Sequence, residues 1–371
     1  MRPVLLVLNV GSSSLKFALY DIENKSELII LFRGIKTRED GPSALQSVLA
    51  EADAAGEVVA VGHRVVHGGG EFVAPIAITP QVLDRLRGLI PLAPLHEPQS
   101  LQAIGEIAAL RPALPQVACF DTAFHHGHAP AVDRLPLPRA WAEARGLRRY
   151  GFHGLAYEHL AARLGELDPA LIRGRVVMAH LGAGASLCAV QNGRSVDTTM
   201  GFSTLDGLVM ATRCGALDPG VLLHLIQSEG MSAEAVQELL YRRSGLLGLS
   251  GFSGDMRELL ASDRPEAAEA VEVYVLQIVR QVGALAAVMG GLDGLVFSGG
   301  VGEHAAEVRA LVCERLAWLG IALDAPANEA HAPLISTASS LPVRIIPADE
   351  ERVIARHTLA ARAEREPVEQ A

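Results

Sequence analysis

Two glycine-rich stretches carry the residue types that a phosphate group needs. In VLNVGSSSLKFALYD, residues 7–21, Gly11, the serines Ser12 to Ser14 and Lys16 offer backbone N–H groups, hydroxyls and an ammonium to one point. The stretch is not a Walker A loop, because the second glycine of that pattern is missing and Lys16 is followed by Phe17. A hairpin tip that is polar only because it faces water would use the same residues. The second stretch, HLGAGAS, favours the ligand, since Gly182 and Gly184 let backbone approach a bound group.

Charged residues cluster around glycines elsewhere. Arg64 lies in GHRVVHGGGEF and Arg213 in MATRCGALDPG. Either alone is an ordinary surface arginine; beside small residues, both suit the rim of a cleft. Asp121 directly follows the apolar VACF, which sets it at a strand end, where functional groups of open α/β sheets collect. His153 stands in RRYGFHGLAYEHL. His125, His126 and His128, in a Pro-ended loop without a nearby carboxylate pair, suit zinc poorly. FSGGVGEHA contains G-x-G-x-x-A, with Asp324 at a dinucleotide-like distance downstream. Its place late in the chain, after a long helical stretch, favours a nucleoside clamp at a helix N-terminus over a dinucleotide fold.

The elements that must hold these residues are legible in the hydrophobic pattern. Val4 to Leu8 reads as a strand buried on both faces, and Leu15, Phe17 and Leu19 alternate with Lys16, Ala18 and Tyr20, which makes a hairpin. RVVMAHLGAGASLCAVQNGRSVDTT repeats the design, with an Asn192-Gly193 turn leading to another strand. Such a duplication predicts two related α/β domains facing each other across a cleft. Val271, Val275, Ile278, Val282 and Leu285 share one helical face, ended by two glycines, and the tail after Pro367 predicts fraying.

At 371 residues, half of them apolar, the chain exceeds the ~250–300 residues of a single core, so two lobes are expected. A net charge of -10 without like-charge blocks argues against nucleic acid or an anionic membrane as partner. Cys119, Cys188, Cys214 and Cys313 lack paired spacings and read as buried thiols of a reducing compartment. No signal core and no stretch approaching ~20 apolar residues stands out, which predicts a soluble, cytoplasmic protein.

Taken together, the motifs resemble the acetate kinase family, of the superfamily that also holds sugar kinases, actin and heat-shock chaperone ATPases. LNVGSSSLKF, HRVVHGG, PLAPLHEP, FDTAFH, RRYGFHG, HLGAGAS, MGFSTLDGLVMATRCGALDPG, SGDMREL, SGGVGEH and ADEERVIA follow in order along nearly the whole chain. The resemblance implies duplicated ribonuclease H-like (actin-like ATPase) domains, residues 1–122 with a returning helix 351–371, and residues 123–350, the latter binding nucleotide and pairing into a homodimer. It implies reversible transfer of the γ-phosphoryl of ATP to acetate, with Mg²⁺ or Mn²⁺. By the same resemblance Arg64, Arg213, His153 and Asp121 would be catalytic, and Asn9 and Glu350 would lie at the metal, with Glu351 the alternative to Glu350. Ser12, Ser14 and Lys16 would form the first phosphate turn, and His180, Leu181, Gly182 and Gly184 the second. Asp255, Met256 and Arg257 would border the adenosine, with Gly300, Val301 and Glu303 completing its clamp. Val66, Leu95, Phe152 and Thr204 would line the acyl pocket, and His96 would be a further active-site histidine.

Three positions depart from the family pattern: Ala183 stands for Asn, Thr204 for Pro and His304 for Asn. The chain is also trimmed between the first hairpin and Arg64. Propionate or another short acid is the near alternative substrate, since one methylene in an apolar pocket is worth only ~1–3 kcal/mol. A catalytically impaired nucleotide-binding switch on the same fold is the alternative of another class. An oxidoreductase binding a dinucleotide ranks below both.

Overall fold

The computed structural model describes residues 1–11, 14–24, 28–37 and 44–363. The chain divides into two compact units: Met1–His126, Gly154–His159 and Asp349–Ala371 form the first, Gly127–His153 and Leu160–Ala348 the second.

The first unit is built on a six-stranded sheet of order β3-β2-β1-β4-β6-β5. Its strands are β1 (Pro3–Val10), β2 (Ser14–Asp21), β3 (Ile29–Thr37), β4 (Glu57–Val65), β5 (Ile76–Ala77) and β6 (Gln116–Phe120). The apolar run of β1 is continuous because both faces are covered. Val4, Leu6 and Leu8 pack with Phe17, Leu19 and the helix Ala44–Ala55. Leu5 and Val7 pack with Ala18, Tyr20 and the Val353 to Ala355 stretch of the helix Glu350–Ala363. That helix accounts for Ala18 and Tyr20, which alternate with the core residues yet are buried themselves. Gly62 lets it approach β4, because a Cβ there would stand 2.2 Å from Thr358 Oγ1. Strands β1, β4 and β6 are mutually parallel, so Asn9, Arg64 and Asp121 come to one edge of the sheet.

The second unit holds a five-stranded sheet of order β11-β10-β7-β8-β9. Here β7 is Arg175–Leu181, β8 Ala185–Gln191, β9 Arg194–Thr198, β10 Gly294–Ser298 and β11 Val343–Ile345. Strand for strand this repeats β1, β2, β3, β4 and β6 of the first sheet, with antiparallel hairpins on one side and parallel strands on the other. The architecture is a duplicated actin-like α/β fold. Asn192 (φ 52°) and Gly193 (φ 72°) make the tight turn between β8 and β9.

The helix Pro265–Met289 buries Val271, Val275, Ile278, Val282 and Leu285, and ends at Gly290 (φ 72°). Contrary to the sequence expectation, this helix has the length and composition to cross a membrane. Its apolar stripe is instead packed in the core of the second unit, which is why the run is so apolar. Ser12 and the tail after Pro367 lie outside the described residues.

Candidate active site

In the first unit the site is an ion-paired chain at the strand ends. Arg64 Nε donates to Asp121 Oδ1 (3.0 Å) and Oδ2 (3.2 Å), and its Nη2 also bonds Asp121. Nη1 reaches Asn9 Oδ1 at 3.3 Å. The amide of Asn9 in turn donates to Glu350 Oε2 (2.9 Å) and Glu351 Oε1 (3.1 Å). Burial alone would lower the pKa of Arg64, but Asp121, Glu350 and Glu351 overcome it and the net direction is upward. The guanidinium is therefore a fixed cation. Asp121 is 1% exposed, so it serves as a buried anchor for the arginine.

Two further contacts fix this arrangement. Asp349 accepts from Arg33 Nη2 (2.6 Å) and from Arg352 N (3.2 Å), which anchors the helix start that carries Glu350 and Glu351. Lys16 is the cross-strand partner of Asn9, with an exposed side chain. Of Ser14 the structure describes the strand pairing with Thr37.

The loop after Arg64 is pinned through its backbone. Gly68 N donates to Thr122 Oγ1 (3.1 Å), Gly69 N to His67 Nδ1 (2.8 Å) and His67 N to Glu97 Oε2 (3.2 Å). Val66 is buried, while Leu95 and His96 are half-buried just before the helix Glu97–Leu110. Glu97 is fully buried, and burial pushes its carboxyl up to about 8; Asp121 adds to the rise, while the His67 N–H and Arg64 oppose it. Burial pulls His63 and His67 down to about 4.

In the second unit the strand ends gather imidazoles, a hydroxyl and close backbone. His153, in the left-handed region (φ 58°), has Nδ1 2.9 Å from Ser186 Oγ and its ring centroid 4.8 Å from that of His180. A Cβ on Gly184 would stand 2.6 Å from Arg213 Nη2 and 3.2 Å from His153 Nε2, so this glycine lets backbone lie against both groups. Arg213 Nη1 donates to the Thr204 carbonyl (2.6 Å), and Ala211 N donates to the Ala183 carbonyl (3.1 Å).

The expected clamp starts beside this turn. A Cβ on Gly182 would be 3.9 Å from Gly300 N, and Gly300 itself opens onto free space. Val301 is partly exposed. Glu303 Oε1 accepts from Gly299 N (2.8 Å) and Ala348 N (3.0 Å), so the carboxylate ties its own loop together. Asp255 caps the helix Met256–Leu260 and pairs with Arg257 at the surface, while the side chains of Met256, Leu181 and Phe152 are buried. Among the predicted acyl-pocket residues, Val66 and Leu95 belong to the first unit, Phe152 and Thr204 to the second.

The acids near Asn9 are all oxygen donors, as Mg²⁺ and Mn²⁺ require. Among the described residues no group of three or more His, Cys, Asp or Glu could hold a metal by itself. Mg²⁺ usually takes one or two carboxylates and completes its shell with phosphates and water. Glu350 and Glu351 on one amide therefore fit an ion carried in by a nucleotide rather than a resident cage.

The sequence profile of the acetokinase family matches residues 35–356. The acetate kinase of Rhodopseudomonas palustris is 49% identical over 390 aligned positions, covering 96% of this chain and 98% of that protein. The chain belongs to the acetokinase family. A propionate kinase structure from Francisella tularensis matches with a TM-score of 0.89 at 33% identity, covering 96% of this chain and 99% of that one. The acetate kinase structure of Porphyromonas gingivalis matches at 0.85 and 36%, covering 97% and 99%.

Against the acetokinase pattern, two of the three departures preserve what the backbone does. Ala183 and Thr204 contribute carbonyl oxygens to Ala211 and Arg213, which the side-chain changes do not remove. His304 is exposed, with its ring edge-to-face on His331 at 6.0 Å. Two groups that hold the first-unit arrangement carry no role in the sequence reading: Glu97 and the Arg33–Asp349 pair. Glu97 sits in PLAPLHEP and Asp349 in ADEERVIA, stretches whose neighbouring residues carry the resemblance, and nothing local marks Arg33.

Proposed function

We propose that this chain is an acetate kinase, moving the γ-phosphoryl of ATP to acetate and back. An acetate oxygen attacks the γ-phosphorus in line; the new P–O bond forms as the bond to the β–γ bridging oxygen breaks, and ADP leaves with that oxygen. Acetate has a pKa close to a Glu side chain's, about 4.3, and is ionised at neutral pH, so no base must take a proton. The obstacle is repulsion between anions.

The observation that carries this reading is the fixed cation at Arg64, held by Asp121 and Asn9 beside the pinned Val66 loop. In the proposal Arg64 and Arg213 hold the carboxylate and the transferring phosphoryl, and His153 donates to the same oxygens. Asp121 keeps Arg64 in place. Val66, Leu95, Phe152 and Thr204 enclose the methyl group. Lys16, Ser12, Ser14 and the His180 to Gly184 turn receive phosphates, with Asp255, Met256, Arg257, Gly300, Val301 and Glu303 on the adenosine side. Asn9, Glu350 and Glu351 would face Mg²⁺ or Mn²⁺, which when bound neutralises phosphate charge. In this reading both units serve the carboxylate and the phosphates, and the adenosine side belongs to the second unit.

The test is to trap acyl phosphate with hydroxylamine in the presence of ATP and acetate, propionate or butyrate. Highest kcat/KM on acetate supports the reading, and no hydroxamate from any acid overturns it. Propionate is the second reading, favoured by the likeness to the Francisella tularensis propionate kinase structure, and a propionate preference would establish it.

The proposal extends to a cytoplasmic homodimer acting on small anions, without nucleic-acid or membrane partners. The free cysteines suit a reducing compartment and the net charge of -10 disfavours polyanions. The helix Pro219–Gln227 has no buried residue, and Leu217, Val221, Leu223 and Ile226 are exposed, an apolar surface suited to a second copy. Sedimentation as a monomer at micromolar concentration would overturn the dimer.

A further inference from the structure

Arg309, in the helix Ala306–Arg315, has the largest side chain among those fully buried in the described residues, and its charge has no carboxylate bonded to it. All its N–H groups meet other acceptors. Nε donates to Asn328 Oδ1 (2.8 Å), and Nη1 to the carbonyls of Gly302 and Glu303 (both 3.0 Å). Nη2 donates to the Asn328 carbonyl (2.8 Å) and to His331 Nδ1 (2.9 Å). Since a guanidinium only donates, His331 must accept at Nδ1 and carry its hydrogen on Nε2. His331 is itself in the left-handed region (φ 51°) and packs its ring against His304. Asn328 closes the network by donating to the Ala306 carbonyl (2.9 Å).

A buried cation is costly unless every donor is satisfied, so a site that satisfies all of them holds its acceptors in one geometry. Two of those acceptors terminate the helix Gly299–His304, whose other end carries Gly300. We propose that Arg309 is a positioning residue for nucleotide binding, locking the end of the Gly299–His304 helix and, through His331, the ring of His304. This role rests on the kinase reading, in which that helix belongs to the nucleotide clamp. The bonded partners of Arg309 given above all lie in the second unit.

The experiment measures ADP binding by calorimetry and the KM values for ATP and acetate on the full chain, for the parent and for Arg309→Lys, Arg309→Met and His331→Gly. Lysine keeps the charge but offers fewer donors and no planar fork, so Kd for ADP and KM for ATP should rise about tenfold, with KM for acetate unchanged. His331→Gly removes one acceptor at a position that suits glycine and should weaken ADP about twofold to threefold. Should Arg309→Met fail to fold, the other two variants decide. Lysine and glycine variants that melt at lower temperature yet bind ADP like the parent would overturn the proposal and leave Arg309 a merely structural residue. A parent that neither binds ADP nor forms hydroxamate would instead overturn the kinase reading, and this role with it.

Discussion

The two sheets share the order and direction of five strands, yet their strand ends are furnished differently. In the first unit the edge is dense in charge: Arg64 lies among Asp121, Glu350 and Glu351, bridged by Asn9. In the second, the equivalent edge presents His153, His180, Ser186 and glycine backbone, with Arg213 reaching over Gly184. The frame is therefore shared, and in the proposed function each unit would meet an anion by its own means. One copy holds a cation with counter-charges; the other brings N–H groups and imidazoles close by leaving out side chains.

The sharpest way to break this comparison is to remove each arginine. Arg64→Ala and Arg213→Ala should each lower kcat/KM by roughly 10²–10³ or more, as loss of a donor to a developing charge does. Their stabilities should separate. Arg64→Ala leaves a buried Asp121 without its cation, a change that costs about 3–5 kcal/mol. Arg213→Ala gives up, among its contacts, the hydrogen bond to the Thr204 carbonyl, a bond whose loss costs about 1–3 kcal/mol. Urea denaturation with equal losses for the two would erase the distinction, and near-normal rates would refute the catalytic roles.

Gly184→Ala tests the other half of the contrast. Its Cβ would need the space now held by Arg213 Nη2 and would press on His153 Nε2. Both groups must shift by several tenths of an ångström, and the rate should fall about tenfold to a hundredfold, as small misplacements at reacting centres do. A fold unchanged by circular dichroism with an undiminished rate would mean that the second unit does not work through close backbone.

Much of this frame is written locally in the sequence. The apolar run of β1, the alternation of β2, the Asn192-Gly193 turn and the one-sided stripe of the helix Pro265–Met289 are all short-range patterns, and they form as read. What was illegible depends on residues far apart in the chain. Arg309 looks like any arginine of a polar-faced helix, and only the Asn328 to His331 turn makes it a buried hub. Arg33 finds Asp349 across most of the sequence. Glu97 is typed as an acid favouring a helix start, which it is; nothing local says that the start is buried against His67.

Glu97 gives the first unit a pH signature. In the unfolded chain its carboxyl ionises near 4.5, while burial keeps the folded one protonated to about 8. The folded state therefore binds the extra proton between these values, and this contribution to stability, complete below 4.5, is lost as pH rises through 8. His63 and His67 act with the opposite sign, but only between about 4 and 6.5. From pH 6.5 to 8, Glu97→Gln should gain about 2 kcal/mol on the parent, at ~1.4 kcal/mol per pH unit for one proton. A constant gap across that range would show that Glu97 is ionised in the folded protein.

The smallest effect expected is at Ala183. Its side chain is exposed and its carbonyl accepts from Ala211 N, a bond that any residue can keep. Ala183→Asn introduces, between Gly182 and Gly184, the amide that the resemblance leads one to expect there, without disturbing that bond. If the turn receives phosphate as proposed, the added donor contacts an anion and is worth about 1 kcal/mol, a rate equal to the parent's or a few-fold higher. A fall in KM for ATP at constant KM for acetate would assign the gain to the nucleotide. Loss of activity would mean that this copy of the turn, unlike the family's, relies on having no side chain at Ala183 beyond the methyl, which would extend the close-backbone strategy by one residue.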